Sequence, residues 1–543
     1  MSDPRIAVPN RLSSMTRRQW LKYSTLGATG ALLAASCQAG PTASPGAGAS
    51  GGAAPKAGGH LRYALLRDPA NFEPHQYGGY TSLSVQGELY DLLVEYDEKA
   101  EIRGALAERW EHPDALTYIF HLRKGVQFHN GKPFDASDVV ATFGRIKNPA
   151  TAAEQRITVE NIAKIETPDA YTVRLTLATP QTVFLTKLAR PTMYMVSKDD
   201  VASGFTFRTK ATGTGPFMLD SFEQGTKYVF KKNPNYWRKG FPYVDQITMV
   251  TVPDDQARVN ALKTGEVDFA DSIPWQEYKP LESAGFNVYR SLTTFTFIRL
   301  NSSVAPFDNK KVRQALNYIV DREEVLQTAF GGNGRIVDGA LELEGTPFYS
   351  ADLKGFYKKD WDKAKSLLAE AGYKSPADVP ALTWSVVNLV TQSAPSQVIL
   401  QQFQQFGLRV TYKPIDTATL LANRSSGAYQ MMTDAMGFAN NDPDGFREYF
   451  DSKAGTSYAT GTRYKNDQVD QLLGQGATMP DGPARKQVYR QVEGIIVEDA
   501  PWVFLNYRPS AEGAAQYVKG YVVPPGVLGV ESLHRWHFIW LDK

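Results

Sequence analysis

From about His60 onward, short runs in which apolar and polar residues alternate take turns with longer stretches of helical periodicity. Thr117 to Leu122 and Tyr171 to Leu177 alternate, which predicts strands. Phe217-Met218-Leu219 and Tyr228-Val229-Phe230 flank a polar break at Glu223 to Gly225 and read as a hairpin. That hairpin is entered through the turn-forming Gly213-Thr214-Gly215-Pro216 and left through Asn233-Pro234-Asn235-Tyr236-Trp237. Ile247 to Val252 predicts a strand, Pro253-Asp254-Asp255 caps a helix that stops at Gly265, and Glu266 to Phe269 returns as a strand. Pro306-Phe307-Asp308 caps another helix, on which Val312, Ala315, Leu316 and Ile319 share one face; Asp321 starts the next, ended by Gly331-Gly332. The stretch Trp361 to Gly372, a strand at Leu382 to Val387, a helix over Ser396 to Phe406, a strand over Leu408 to Tyr412, a helix over Ala484 to Val497 and a strand over Trp502 to Asn506 continue the alternation. Strand and helix in turn predict an α/β fold.

A chain of 543 residues exceeds what one hydrophobic core serves, so two or three domains are expected. With 42% hydrophobic and 21% charged residues it has the composition of an ordinary globular protein, and a net charge of +2 gives no field suited to nucleic acid. Aromatic residues make up 12%, enough to line a binding site, although most are expected in cores.

The N-terminal segment changes this picture. Thr16-Arg17-Arg18-Gln19-Trp20-Leu21-Lys22 is a twin-arginine pattern, and the apolar stretch Leu26 to Ala35 after it is too short to span a bilayer. Ala34-Ala35-Ser36 leads into Cys37, the only cysteine, which excludes an intramolecular disulfide and fits a lipoprotein signal cleaved and lipidated at Cys37. Residues 38–59 collapse to Gly, Ala, Pro, Ser and Thr, the composition of a flexible tether. Gly48-Ala49-Ser50-Gly51-Gly52 matches the hydrolase pattern GxSxG but lies in this tether, without the strand and helix that motif requires.

The GTGP hairpin with its Asn-Pro-Asn-Tyr-Trp ending, the run Arg123 to Phe134 with the polar turn His129-Asn130-Gly131-Lys132-Pro133-Phe134, and the helix start Asp135-Ala136-Ser137-Asp138-Val139-Val140 resemble the extracellular solute-binding proteins of family 5. Those are the oligopeptide, dipeptide and nickel binders of ABC importers. The resemblance covers His60 to about Asn506. It implies an α/β, bilobal, hinged periplasmic-binding-protein type II fold with an extra domain inserted in the N-terminal lobe. The implied division is 1–37 signal peptide, 38–59 linker, 60–97 with 209–297 and 507–543 as lobe I, 98–208 as inserted domain II, and 298–506 as lobe III. Phe297 to Asn301 resembles the crossing strand into that last lobe.

The family's cleft is lined by the loop after the first strand, loops of the third domain and a region matching Met436 to Phe450. Peptide-binding members carry there an aspartate, four residues before a proline, that anchors the ligand's α-amino group; here an ungapped match gives Ala439, and a gapped one Asn440 or Asn441. An asparagine supplies a hydrogen bond without charge, which disfavours a dipeptide held by its free amine. The implied ligand-binding residues are Tyr80 on the first loop, Trp275, Trp384 and Asn388 leading a third-domain loop, and Phe438, Asn440, Asn441 and Asp442.

Enzymatic signatures do not compete with this. There is no HExxH, no phosphate loop, no CxxC and no nucleotide fingerprint; Asp442 and Asp444 are spaced as an acid/base pair but equally as a helix cap or turn. Of seven histidines only His534 and His537 are close in sequence, which does not by itself make a metal site. The expectation is a monomeric, lipid-anchored receptor, without a cofactor, that captures peptide and delivers it to ABC permease membrane subunits. An oligosaccharide or nickel as ligand, and a secreted hydrolase, are the alternatives.

Overall fold

The computed structural model describes residues 54–76, 80–346, 348–437, 442–454, 457–523 and 536–543. One eleven-stranded sheet organises them. Across it the strands run Val410–Ile415, Leu382–Val387, Met431–Met436, Asn287–Leu300, Trp502–Ala514, Phe269–Ala270, His60–Leu65, Gln246–Thr251, Lys227–Lys232 and Phe217–Glu223, with Arg335–Ile336 paired on Trp502–Ala514 beside this path. Each half contains parallel pairing, His60–Leu65 against Gln246–Thr251 and Leu382–Val387 against Val410–Ile415, the latter joined by a helix, while the edge beyond Gln246–Thr251 is antiparallel. In the middle two long strands are antiparallel. The α/β expectation is met.

The helices form where caps and periodicity place them. Asp254 caps Asp255–Thr264 and Gly265, at φ 76°, ends it; Asp321 caps Arg322–Phe330. The stripe Val312, Ala315, Leu316 and Ile319 is buried, but the cap of Lys310–Ile319 is Asn309, one residue after the expected Asp308. The helix expected from Ser396 begins at Val390 instead: Pro395 sits in its second turn, where its ring removes a single backbone hydrogen bond without stopping the helix.

The predicted hairpin forms, Phe217 to Glu223 antiparallel to Lys227 to Lys232. Its flanking motifs close on one carboxylate. Asp91 accepts from Thr214 Oγ1 (2.9 Å), Tyr236 OH (3.2 Å) and Trp237 Nε1 (2.9 Å). Gly215 N donates to Leu89 O, and a side chain at Gly213 would put Cβ 1.8 Å from that same oxygen, so this turn requires glycine. A separate four-stranded antiparallel sheet, ordered Ala107–Asp114, Thr117–Leu122, Thr172–Leu177, Ile162–Asp169, lies under the helix Ala136–Lys147, which buries Val139, Phe143 and Ile146. That helix opens with a capping box between Asp135 and Asp138.

Two sets of cores result: one around Leu61, Phe120, Phe184 and Phe230, the other around Phe297, Leu316, Trp384 and Trp502. The second set contains a fully buried charge network. Asp434 accepts from Arg299 Nε (2.7 Å) and from Arg424 Nε and Nη2 (3.0 and 2.6 Å), while Arg299 Nη1 donates to Thr462 Oγ1 (2.8 Å). Burial works against the Asp434 charge, and the two guanidiniums outweigh it, holding its pKa low. Asp434→Asn leaves two cations without their counter-charge and is expected to cost about 3–5 kcal/mol, read as a lower midpoint in urea unfolding at unchanged slope.

Candidate ligand-binding site

Asn287–Leu300 and Trp502–Ala514 run through both halves of the sheet, Asn287 opposite Ala514 at one end and Arg299 opposite Trp502 at the other. Their register breaks between Ser291–Ser510 and Thr294–Arg508, so Leu292 and Thr293 face Pro509 alone. A proline donates no ladder hydrogen bond and an extra residue makes a bulge, so the pairing is weakest there.

Around this break the halves touch. Arg508 Nη1 donates to Thr391 Oγ1 (2.9 Å) at the start of the helix Val390–Phe406. Trp275, half-buried in the short turn Trp275–Glu277, packs with Ile336 and Ala394 onto Leu326, Ala329 and Phe330. Its ring lies where a side chain on Gly331 would be, 2.3 Å from the ideal Cβ. A second set of contacts joins the helix Phe184–Leu188 and its flanks to residues 444–477: Lys187 Nζ to Asp444 (3.7 Å), Arg190 Nη1 to Glu448 (3.1 Å), and Thr182 N to Ala477 O (3.1 Å). Burial lowers the Lys187 pKa.

Several of the buried polar atoms that lack protein partners among the described residues lie on these elements. Thr296 Oγ1 and Asn506 Oδ1 are cross-strand neighbours on the two long strands, and Gln392 Oε1 is in the first turn of Val390–Phe406. Ile336 pairs with Asn506, and Arg335, whose guanidinium lies 5.1 Å from the centre of the Tyr349 ring, donates to Glu342 O. Glu342 is 1% exposed; among the described residues neither of its carboxyl oxygens, nor the Tyr349 hydroxyl, has a hydrogen-bond partner. Burial, with Glu493 and Asp442 adding like charge, pushes the Glu342 pKa up to about 8. Burial alone pushes Glu493 toward about 7 against the hydrogen bond it takes from Leu341 N. Native proteins pair nearly all such groups, so a concentration of orphans marks a place where an outside partner is expected.

The structure distributes the sequence-derived candidates unevenly. Trp275 lies at the meeting of the halves, and Asn388 is exposed just before the helix Val390–Phe406. Tyr80 is not on a loop; it is the first residue of the helix Tyr80–Leu89. Trp384 is a core residue, fully buried in the strand Leu382–Val387 with its indole N–H bonded to Thr433 Oγ1 (2.9 Å), because alternation along that strand turns it onto the helix layer. Asp442 caps the turn Pro443–Phe446 through Asp444 N (2.8 Å) and pairs with both terminal nitrogens of the buried Arg485 (2.7 and 2.8 Å). Asp444 accepts from Tyr489 OH (2.9 Å), so these two carboxylates brace a turn instead of forming an acid/base pair. Phe438, Asn440, Asn441, His534, Cys37 and the twin-arginine stretch lie outside the described residues. Glu342, Gln392, Thr296 and Asn506 escape sequence reasoning: each is a common residue in an unremarkable stretch, and only the absence of a partner after folding sets it apart.

Among the described residues no group of three or more His, Cys, Asp or Glu is placed to hold a metal ion, and no helix is long and apolar enough to cross a membrane. The chain is 29% identical over 467 residues to the glutathione-binding protein GsiB of Salmonella paratyphi A, covering 83% of this chain and 90% of that protein. Its structure superposes on that of AgaA from A. tumefaciens R10 in complex with agropinic acid, with TM-score 0.79, 28% identity and coverage of 89% of this chain and 99% of the other. DppA from Helicobacter pylori in complex with the peptide STSA gives 0.78 at 27% identity, covering 90% and 99%. Residues 101–458 match the family described as bacterial extracellular solute-binding proteins, family 5 Middle. With two thirds of its length inside that match, and with its fold shared along nearly the whole described chain, this protein belongs to the family 5 extracellular solute-binding proteins.

Proposed function

We propose that the protein, as the substrate-binding component of an ABC importer, encloses a peptide between the two halves of its sheet and presents it to the permease. The observation that carries this reading is the chemistry of the orphaned atoms. Asn506 Oδ1 and Gln392 Oε1 are acceptors, Thr296 and Tyr349 add hydroxyls, and Glu342, which burial keeps protonated toward pH 8, becomes a two-oxygen acceptor once a ligand cation offsets its charge. A ligand rich in N–H groups satisfies such a set, and a peptide supplies backbone amides together with an ammonium that ionises Glu342. In this reading Glu342 takes the part for which residues 439–441 offer only an alanine and two asparagines. The relatives that bind glutathione and the peptide STSA support the ligand class. The halves act as lobes, the register break at Leu292–Thr293 and Pro509 as the hinge, and the strands 107–177 as the core of the inserted domain. No bond of the ligand is made or broken.

The N-terminal pattern completes the reading: twin-arginine export of the folded protein, lipid at Cys37, and residues 38–59 as the tether. A Cys37→Ser variant is then expected in the soluble fraction, with the parent in the membrane fraction; a variant that still sediments with membranes contradicts lipidation.

For the ligand, thermal unfolding in the presence of glutathione, other di- and oligopeptides, oligosaccharides and nickel is the direct test. A ligand at a hundred times its Kd adds about 2.7 kcal/mol, a clear rise in Tm. A peptide-specific rise without turnover is expected, and a rise only with sugars or nickel overturns the peptide assignment. Glu342→Gln should abolish the peptide-induced rise while leaving the protein folded. Without ligand, a carboxyl whose pKa is raised from 4.5 to about 8 loses stability as pH climbs through that window. Glu342→Gln is therefore expected to melt higher than the parent at pH 8, by an amount that shrinks toward pH 4.5.

A further inference from the structure

A surface hollow of about 460 Å³, away from the meeting of the two halves, is lined by Arg103, Arg123, Arg238 and Lys239 around Trp237. Glu95 Oε1 accepts from Arg103 Nε (2.7 Å) and Arg238 Nη2 (2.6 Å), and the exposed Glu98 reaches Arg103 Nη1 at 3.4 Å, while Glu108 and Asp91 add negative charge toward Arg123 and Arg238 without bonding them directly. Arg123 uses only Nε, on Ala105 O (2.6 Å), so both of its terminal nitrogens are free of protein acceptors among the described residues. Among the described residues Arg103 Nη2 is shielded from solvent without a hydrogen-bond partner and Lys239 has no ion pair.

The cations are held in place. Trp237, which ends the Asn-Pro-Asn-Tyr-Trp motif, is fixed by its hydrogen bond to the buried Asp91 (2.9 Å). The guanidinium carbons of Arg123 and Arg238 lie 4.8 and 4.6 Å from its ring centre. Arg123 is therefore kept near Arg238 despite their like charge; burial first, and then the Arg238 charge, push its pKa down. A fixed cluster of cationic donors, one of which has both terminal nitrogens unused, is an environment that an oxyanion satisfies, and guanidinium groups match phosphate with paired N–H bonds.

The remaining wall is apolar. Phe241 and Phe538 meet edge to face, with centroids 4.9 Å apart, and Phe538 is shared with a neighbouring hollow of about 260 Å³ lined by Pro55, Val522 and Trp540. We propose that the Arg103–Arg123–Arg238–Lys239 hollow binds a phosphate group, with Phe241 and Phe538 against the organic part that carries it. A soluble phosphate ester and a phospholipid head group share this chemistry. Pro55, which lines the neighbouring hollow, lies in sequence at the C-terminal end of the tether-like segment.

The test uses the full chain and two variants. Arg123→Gln removes the unsatisfied guanidinium, and Lys239→Gln changes an exposed, unpaired residue that packing does not need. Calorimetric titration with inorganic phosphate and with glycerol 3-phosphate, against sodium chloride at equal ionic strength, reads the soluble arm. Flotation with phosphatidylcholine vesicles, with and without phosphatidylglycerol, reads the lipid arm. Saturable binding of phosphate or its ester beyond the chloride control is expected, weakened about tenfold in each variant by the loss of a charge-assisted contact. Flotation that requires phosphatidylglycerol, is competed by glycerol 3-phosphate and falls in both variants assigns the site to a head group; soluble binding without such flotation assigns it to a phosphate ester. Heats equal to the chloride control together with flotation indifferent to the variants overturn the proposal, as does binding that neither variant weakens.

Discussion

Two antiparallel strands carry the sheet from one half of this protein to the other, and that single pairing sets what the rest of the structure can do. Asn287–Leu300 and Trp502–Ala514 are bonded to each other over most of their length, so the halves stay in one register while each keeps its own cores. The register shifts twice within this pair, at Leu292 and Thr293 against Pro509 and again between Thr296 and Phe297, so its irregular pairing falls in one short stretch. A hinge needs few residues that absorb the dihedral change and packed bodies on either side that do not. The buried Arg299–Asp434–Arg424 network supplies part of the second requirement immediately beyond the break, locking one long strand to Met431–Met436 by charge as well as by backbone bonds.

Much of this was legible in the sequence, and the reason lies in local physics. Strands, caps and helix stops follow from periodicity and from residues such as Asp254, Gly265 and Asp321, whose effect acts within a few positions. The hairpin motifs were legible for a different reason. Gly213 and Gly215 tolerate a backbone approach that any side chain blocks, while Thr214, Tyr236 and Trp237 need one shared acceptor, so a fixed arrangement demanded a fixed string of residues. Asp91, the acceptor, carries no sequence signal of its own, since its role is visible only once more than a hundred residues have folded back onto it.

The site was less legible because binding roles and packing roles draw on the same residue types. Trp384 has the size and polarity of a ligand-stacking residue, yet strand alternation turns it inward, and its N–H is satisfied by Thr433. Asp442 looks like an available carboxylate until Arg485, helical in the distant segment Pro483–Asp499, arrives to neutralise it. Glu342 is the converse. A glutamate between two leucines gives no hint in sequence that folding strips it of both water and partner. The ring of Trp275 crosses to the other half through the gap left by Gly331, and that gap is a long-range fact.

The contacts between the halves bear on how a receptor of this kind can release what it captures. Lys187–Asp444 and Arg190–Glu448 join the halves by charge, but Lys187 is desolvated enough to lower its pKa, which offsets part of the Coulomb gain. The Arg190–Glu448 pair is the firmer of the two, since burial opposes the Arg190 charge but the carboxylates beside it outweigh burial and raise its pKa. A ligand shifts an open and closed equilibrium by its differential affinity for the two forms and no more. On the proposed reading Glu342 and Asn506, whose oxygens lack partners among the described residues, supply that difference, because a ligand that bonds them replaces contacts that water makes in the solvated, open site.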